Sequence, residues 1–148
     1  VISEMMEFAE GQTILQKAFS LQEAIEEIPE DEKLTKEDLE PIHYFADGMY
    51  LRSLFIPKGV AVVGEMHKYS HFTILAEGTS TIVSQDGEFK AVAPFVFTST
   101  PHAKRCVYAD TDCTWITVHL NLDNCTDTEE VANRHIITDK KELLEILK

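Results

Sequence analysis

A chain of 148 residues with 44% hydrophobic and 9% aromatic content has room for one domain around a single core, and a second domain is not expected. The formal charge of −13 argues against a surface for DNA, RNA or anionic membrane, each of which needs a face rich in Lys and Arg. That charge is uneven: residues 1–47 carry 13 acidic and 3 basic side chains, residues 48–148 carry 13 and 10.

The opening "VISEMMEFAE" has neither a basic leader nor an apolar run, and no later stretch approaches the ~18–20 apolar residues of a membrane span. A soluble, cytoplasmic chain is expected. In "SLQEAIEEI" (20–28) Leu21, Ala24, Ile25 and Ile28 share one helical stripe behind Ser20 as N-cap, with Glu23 three residues on. This predicts an amphipathic helix stopped by Pro29. The charged "EDEKLTKEDLEP" that follows reads as a linker with one helical turn, exposed and mobile, which makes residues 1–47 an acidic helical extension.

From Tyr50 the period changes. Eight β-rich runs follow at roughly ten-residue spacing: "YLRSLFI", "AVVGEMH", "FTILA", "STIVS", "EFKAVA", "FVFTS", "KRCVYA" and "TWITVHL". Turn signals separate them at "PKG" (57–59), "EG" (77–78), "DG" (86–87) and "DTD" (110–112). Short strands so spaced predict a sandwich or barrel over residues 48–122. Residues 123–148 return to helix, first "TDTEEVANRH" and then "DKKELLEILK", where Asp139 and Glu142 form a capping box. Cys106, Cys113 and Cys125 are odd in number and lack C-x-x-C spacing, so reduced thiols are expected instead of a disulfide framework or a zinc ribbon.

The chemistry concentrates between Gly59 and Gly78. Gly59, five residues, Glu65, one residue, His67, three residues, His71, six residues, Gly78 is a spacing that resembles the first motif of the cupin family, G-x5-H-x-H-x3/4-E-x6-G. Glu stands in the first His position and His in the Glu position, and both exchanges keep a metal-ligating residue type. On a strand, Glu65 and His67 would face one side while Met66 faces the other. The second cupin motif is degraded. One register of "TPHAKR" (100–105) puts Arg105 at the ligand position, and this one is favoured; another puts His102 there. The blocks "HYFADGMYLRSLFIPKG", "HKYSH" and "AKRCVYADTDCTWITVH" are similar to small cupin-like proteins encoded by tailed bacteriophages, over roughly residues 43–120.

The resemblance implies a mainly β protein, a single cupin-type jelly-roll β-barrel with N- and C-terminal helical extensions, commonly dimeric. It also implies a divalent metal inside the barrel. A guanidinium cannot coordinate a metal, so Arg105 is free to anchor an anionic ligand or to pair with Glu65. His119 is then the natural third imidazole, because the alternation of "TWITVHL" places Trp115, Thr117 and His119 on one face. His67, His71 and His119 with Glu65 in reserve form the expected ligand set, for which Fe, Zn, Ni and Mn are all suitable. Arg105, Tyr108, Trp115, His102 and His43 are the expected ligand-binding residues, for a small polar or anionic molecule.

Simpler readings stand beside these. His119 also reads as a core histidine bonded to backbone, Trp115 as core packing, and His135, in a polar helix, as solvated. Cys106 alternates away from Arg105 to the opposite face. No side chain is placed as a general base, so the reaction class stays open, and a non-catalytic phage accessory or assembly protein is the alternative to a ligand pocket.

Overall fold

The computed structural model describes residues 39–84 and 87–137, together with Lys141 and Glu145. The helix expected at 20–28, most of the acidic linker and most of the helix expected at 139–148 lie outside the described residues. Among the described residues the fold has nine strands and one complete helix: β1 (Ile42–Ala46), β2 (Gly48–Ile56), β3 (Ala61–Val63), β4 (His71–Glu77), β5 (Thr79–Ser84), β6 (Gly87–Val92), β7 (Phe95–Ser99), β8 (Arg105–Ala109), β9 (Cys113–Asn121) and α1 (Thr128–His135). No helix among the described residues is long and apolar enough to cross a membrane.

The strands form two antiparallel sheets, one of five strands in the order β1-β2-β9-β4-β7 and one of four in the order β3-β8-β5-β6. After β2 the chain changes sheet at every connection except the β5–β6 hairpin, which is the winding of a jelly roll. The closed barrel expected from the sequence does not form. No ladder joins the two sheets among the described residues, so the architecture is an open sandwich. Closure needs edge strands to pair across the gap, and β3, an edge strand, is only three residues long.

Two glycines make the crossings possible. Gly59, at φ +87, lets the chain leave β2 and bond its N–H to the Ala109 carbonyl at 2.8 Å. Gly78, at φ +91, turns between β4 and β5, where a Cβ would collide with the carbonyl oxygen of Asp112. These are the outer residues of the spacing read from the sequence.

Register sets what lies between the sheets. Tyr50 pairs with His119, Arg52 with Thr117, Leu54 with Trp115 and Ile56 with Cys113, so one face of β2 and β9 runs from polar to apolar along its length. On β4 and β7 the same gradient runs from the His71–Ser99 pair through Thr73–Phe97 to Leu75–Phe95. The apolar end is the core: Ile56, Leu75, Cys113 and Trp115 close against Ile82, Ala91 and Ala109 of the second sheet, with Val62 and Val107 filling in. Cys106 lies on the opposite face of the second sheet with Val83, Ala61, Val63 and Tyr108, as its alternation with Arg105 required.

Candidate metal centre

Three strands and a loop build the polar end. His119 comes from β9, which alternates as expected, and His71 opens β4, where it comes alongside His119 one step beyond the Phe72–Val118 pair. His67 is seated differently. The run "AVVGEMH" is a strand only through Val63, and residues 64–70 form an irregular loop. Backbone bonds hold the loop on three sides: His102 N donates to the His67 carbonyl at 2.9 Å, Lys68 N to the His135 carbonyl at 2.7 Å, and Ile137 N to the Met66 carbonyl at 2.8 Å. Met66, 1% exposed, plugs it into the interior.

The three imidazoles converge. Ring centroids lie 4.3 Å apart for His67–His71, 4.5 Å for His71–His119 and 5.2 Å for His67–His119. One nitrogen from each lies within 4.8 Å of the other two. His67 Nδ1 is 3.0 Å from the Glu65 carbonyl, so Nδ1–H donates there and Nε2 keeps its lone pair; His71 Nδ1 makes a longer contact of 3.5 Å to the Tyr69 carbonyl. Burial, reinforced by the neighbouring histidines, pushes His67 down to about 3 and His119 down to about 2. His71 falls to about 4, first through burial, then through the Arg105, His135 and Arg52 charges, while the Tyr69 carbonyl opposes the shift. All three are neutral at pH 7, the form that binds a cation. The donor set therefore fits a divalent ion: three neutral imidazoles from separate segments on one side, with the other side facing a cleft.

That cleft holds about 260 Å³ including its open mouth, between Tyr50, Arg52, His67 and His119 below and His135 and Ile136 above. His135 is not the solvated helix residue expected from the sequence. It is buried at 9% exposure, with its ring 4.8 Å from that of His119, because the last turn of α1 lies over the mouth of the sandwich. Tyr50 stacks on His119 at 5.9 Å, and its hydroxyl meets His43 Nδ1 at 2.6 Å.

The remaining expected residues divide between the site and elsewhere. Arg105 stands beside His71, donating from Nη1 to Ser99 Oγ at 2.9 Å with its guanidinium 4.9 Å over the Phe97 ring. His43 joins through Tyr50. Glu65 supplies its backbone carbonyl to His67, and its carboxylate is not one of the clustered ligand groups. Trp115 lies in the apolar core, edge-on to Phe97, and Tyr108 packs on the far face of the second sheet. His102 is exposed at φ +65, and its backbone N–H bonds to the His67 carbonyl. Tyr50, Arg52 and His135 were not among the residues expected at the site. For the first two the signal was present, since the alternation Tyr50, Arg52, Leu54, Ile56 puts an arginine on an otherwise inward face.

No family model and no curated protein sequence matches the chain. Solved structures do. A cupin 2 conserved barrel domain protein from Salinispora arenicola shares 16% identity, with 72% of this chain and 94% of that one covered at a TM-score of 0.50. A cupin 2 domain-containing protein from Halorhodospira halophila also shares 16%, over 76% of this chain and 77% of that one, at a TM-score of 0.51. At that identity the likeness is one of fold, and the fold is the one found in cupin 2 domain proteins.

Proposed function

We propose that His67, His71 and His119 hold one divalent ion of the Fe, Zn, Ni or Mn class, and that the cleft beside it receives a small polar or anionic molecule. The observation that carries this reading is the convergence of three neutral imidazole nitrogens within 4.8 Å of one another, beside a cleft that His67 and His119 line. Three neutral imidazoles brought from separate segments to ring-centroid distances of 4.3–5.2 Å from one another form a donor set that packing alone does not require. A bound ion would polarise an oxygen donor of the ligand as a Lewis acid. Arg105 supports the anionic preference by adding positive charge on the His71 side.

Metal analysis by mass spectrometry on protein purified without a histidine tag tests the reading. The expected result is about one ion per chain in the wild type and most of it lost in His67→Ala or His71→Ala, since a three-ligand site missing one imidazole cannot keep its geometry. Wild-type protein that stays metal-free after dialysis against each of the four ions would overturn it.

The reading includes a homodimer in a cytoplasmic setting. Free Cys106, Cys113 and Cys125 suit a reducing compartment. The outer face of the five-stranded sheet exposes Met49, Phe55, Phe72, Val96 and Leu120, a large apolar surface for a second copy to cover. Sedimentation velocity should give twice the chain mass, and Phe72→Glu should halve it; a wild-type monomer at micromolar concentration would remove the dimer. The same face supports the alternative, a phage assembly protein that keeps the fold as a scaffold and does no chemistry.

A further inference from the structure

Three arginines occur in the chain, and two are accounted for. Arg134 lies on the surface with Asp123 and Glu130 at 2.7 and 2.8 Å. Arg105 is held by Ser99 and Phe97. Arg52 is different. It sits on the inward face of β2, half-buried and lining the cleft, and among the described residues its guanidinium makes no hydrogen bond or ion pair. A guanidinium withdrawn from water without an anion is costly, and its five N–H donors form a fork suited to a planar oxyanion.

A second polar group waits beside it. Thr117 is the cross-strand partner of Arg52, and its Oγ1 is buried with no hydrogen-bond partner. One row further along the same two strands stand Tyr50 and His119. Same-face neighbours on a strand are ~7 Å apart. An anionic group on Arg52 is therefore one short molecule away from an ion held by the histidines. The cleft is small, about 260 Å³ even with its open mouth included, which suits a short ligand.

Resting on the metal reading above, we propose that Arg52 is the anion anchor of this site, and that the ligand is a small carboxylate with a second oxygen donor on the adjacent carbon. The carboxylate pairs with the Arg52 fork, and the neighbouring hydroxyl or oxo group would be left to the ion, with the unpartnered Thr117 Oγ1 adding to the polarity behind Arg52. Arg105, already engaged on the other side of His71, shapes the field and does not grip the ligand. A chain of net charge −13 repels anions at a distance, so selection falls to this local pair of arginines.

The test uses cobalt-loaded full-length wild type, Arg52→Gln, Arg52→Lys and Arg105→Gln, titrated with glycolate, phosphate and glycolamide and followed by the visible cobalt spectrum. Glycolate should perturb the wild-type spectrum and bind Arg52→Gln about 10- to 100-fold more weakly at unchanged cobalt content, as expected for loss of charged hydrogen bonds. Arg52→Lys should recover part of the affinity, and phosphate and neutral glycolamide should bind weakly to every protein. Equal glycolate affinity in wild type and Arg52→Gln overturns the proposal, as does a loss confined to Arg105→Gln or wild-type binding of glycolamide as tight as that of glycolate. Absence of a bound-cobalt spectrum in all four proteins is instead the failure of the metal reading. Thermal shift on metal-free protein then decides the anchor: stabilisation of wild type but not Arg52→Gln by glycolate sustains it, and equal responses sink it.

Discussion

The two ends of this sandwich are made by the same strands and have opposite chemistry. At one end β2, β9 and β4 contribute Leu54, Ile56, Trp115, Cys113 and Leu75 to a dry core; two to four residues along, they contribute Tyr50, Arg52, His119, Thr117, His71 and Thr73. Each large apolar side chain buried at the first end stabilises the fold by ~1.5–3 kcal/mol. The second end buries His71 and His119, half-buries His67 and leaves Thr117 Oγ1 without a partner, so it draws on that stability. The lesson is a division of labour along the strand, in which cohesion at one end fixes the backbone from which ligands project at the other.

Three substitutions sharpen or break that division. The largest effect is expected at the apolar end, where Leu75 is fully buried: Leu75→Ala should cost about 2–5 kcal/mol in urea unfolding while the folded fraction keeps its metal. A smaller effect is expected at α1, whose N-terminus is capped by Asp127 Oδ1 accepting from Glu130 N at 3.0 Å. Asp127→Ala should lower stability by ~1 kcal/mol and increase hydrogen exchange around His135; unchanged exchange there would show that the tie to Lys68, not the helix, holds the cover in place. A similarly small stability effect is expected at the polar end. His119→Gln, close in volume, should change metal-free stability by less than ~1.5 kcal/mol while abolishing metal binding. A loss as large as that of Leu75→Ala would mean that the histidines are part of the core and that the two ends are not distinct.

How much of this was legible in the sequence depended on how local each determinant is. Eight of the nine strands were legible because alternation and turn residues lie within a few positions of one another, and His119 could be placed inward from "TWITVHL" alone; β1 (Ile42–Ala46) was not, and it forms a strand inside the stretch expected to be a helical extension because β2 offers it an edge. The spacing from Gly59 to Gly78 was legible too, and both glycines prove to be backbone requirements. The loop carrying His67 was not. "AVVGEMH" has the composition of a strand, but Gly64 N bonds to the Arg105 carbonyl at 2.9 Å and the chain then turns inward to bury Met66, a choice made by the second sheet. Closure of the barrel depends on edges meeting across the whole molecule, which no window of residues encodes. His135 lies on a helix that is polar in sequence, and only docking of α1 over the cleft buries it. Arg52 was hidden for another reason: its alternation was plain, but a search weighted toward imidazoles and carboxylates passes over a cation.

The bridge between His67 and Ile136 bears on the order in which the protein is made. A nascent chain emerges from its N-terminus, so His67, His71 and His119 are all available before the segment that pins the His67 loop has been synthesised. Until residues 135–137 arrive, the loop lacks two of its four backbone ties and the cleft lacks its cover. The ligand set is therefore assembled only once residue 137 has left the ribosome. On the metal reading proposed above, an ion met earlier would find two strand-borne imidazoles and a loose third, a weaker site than the finished one.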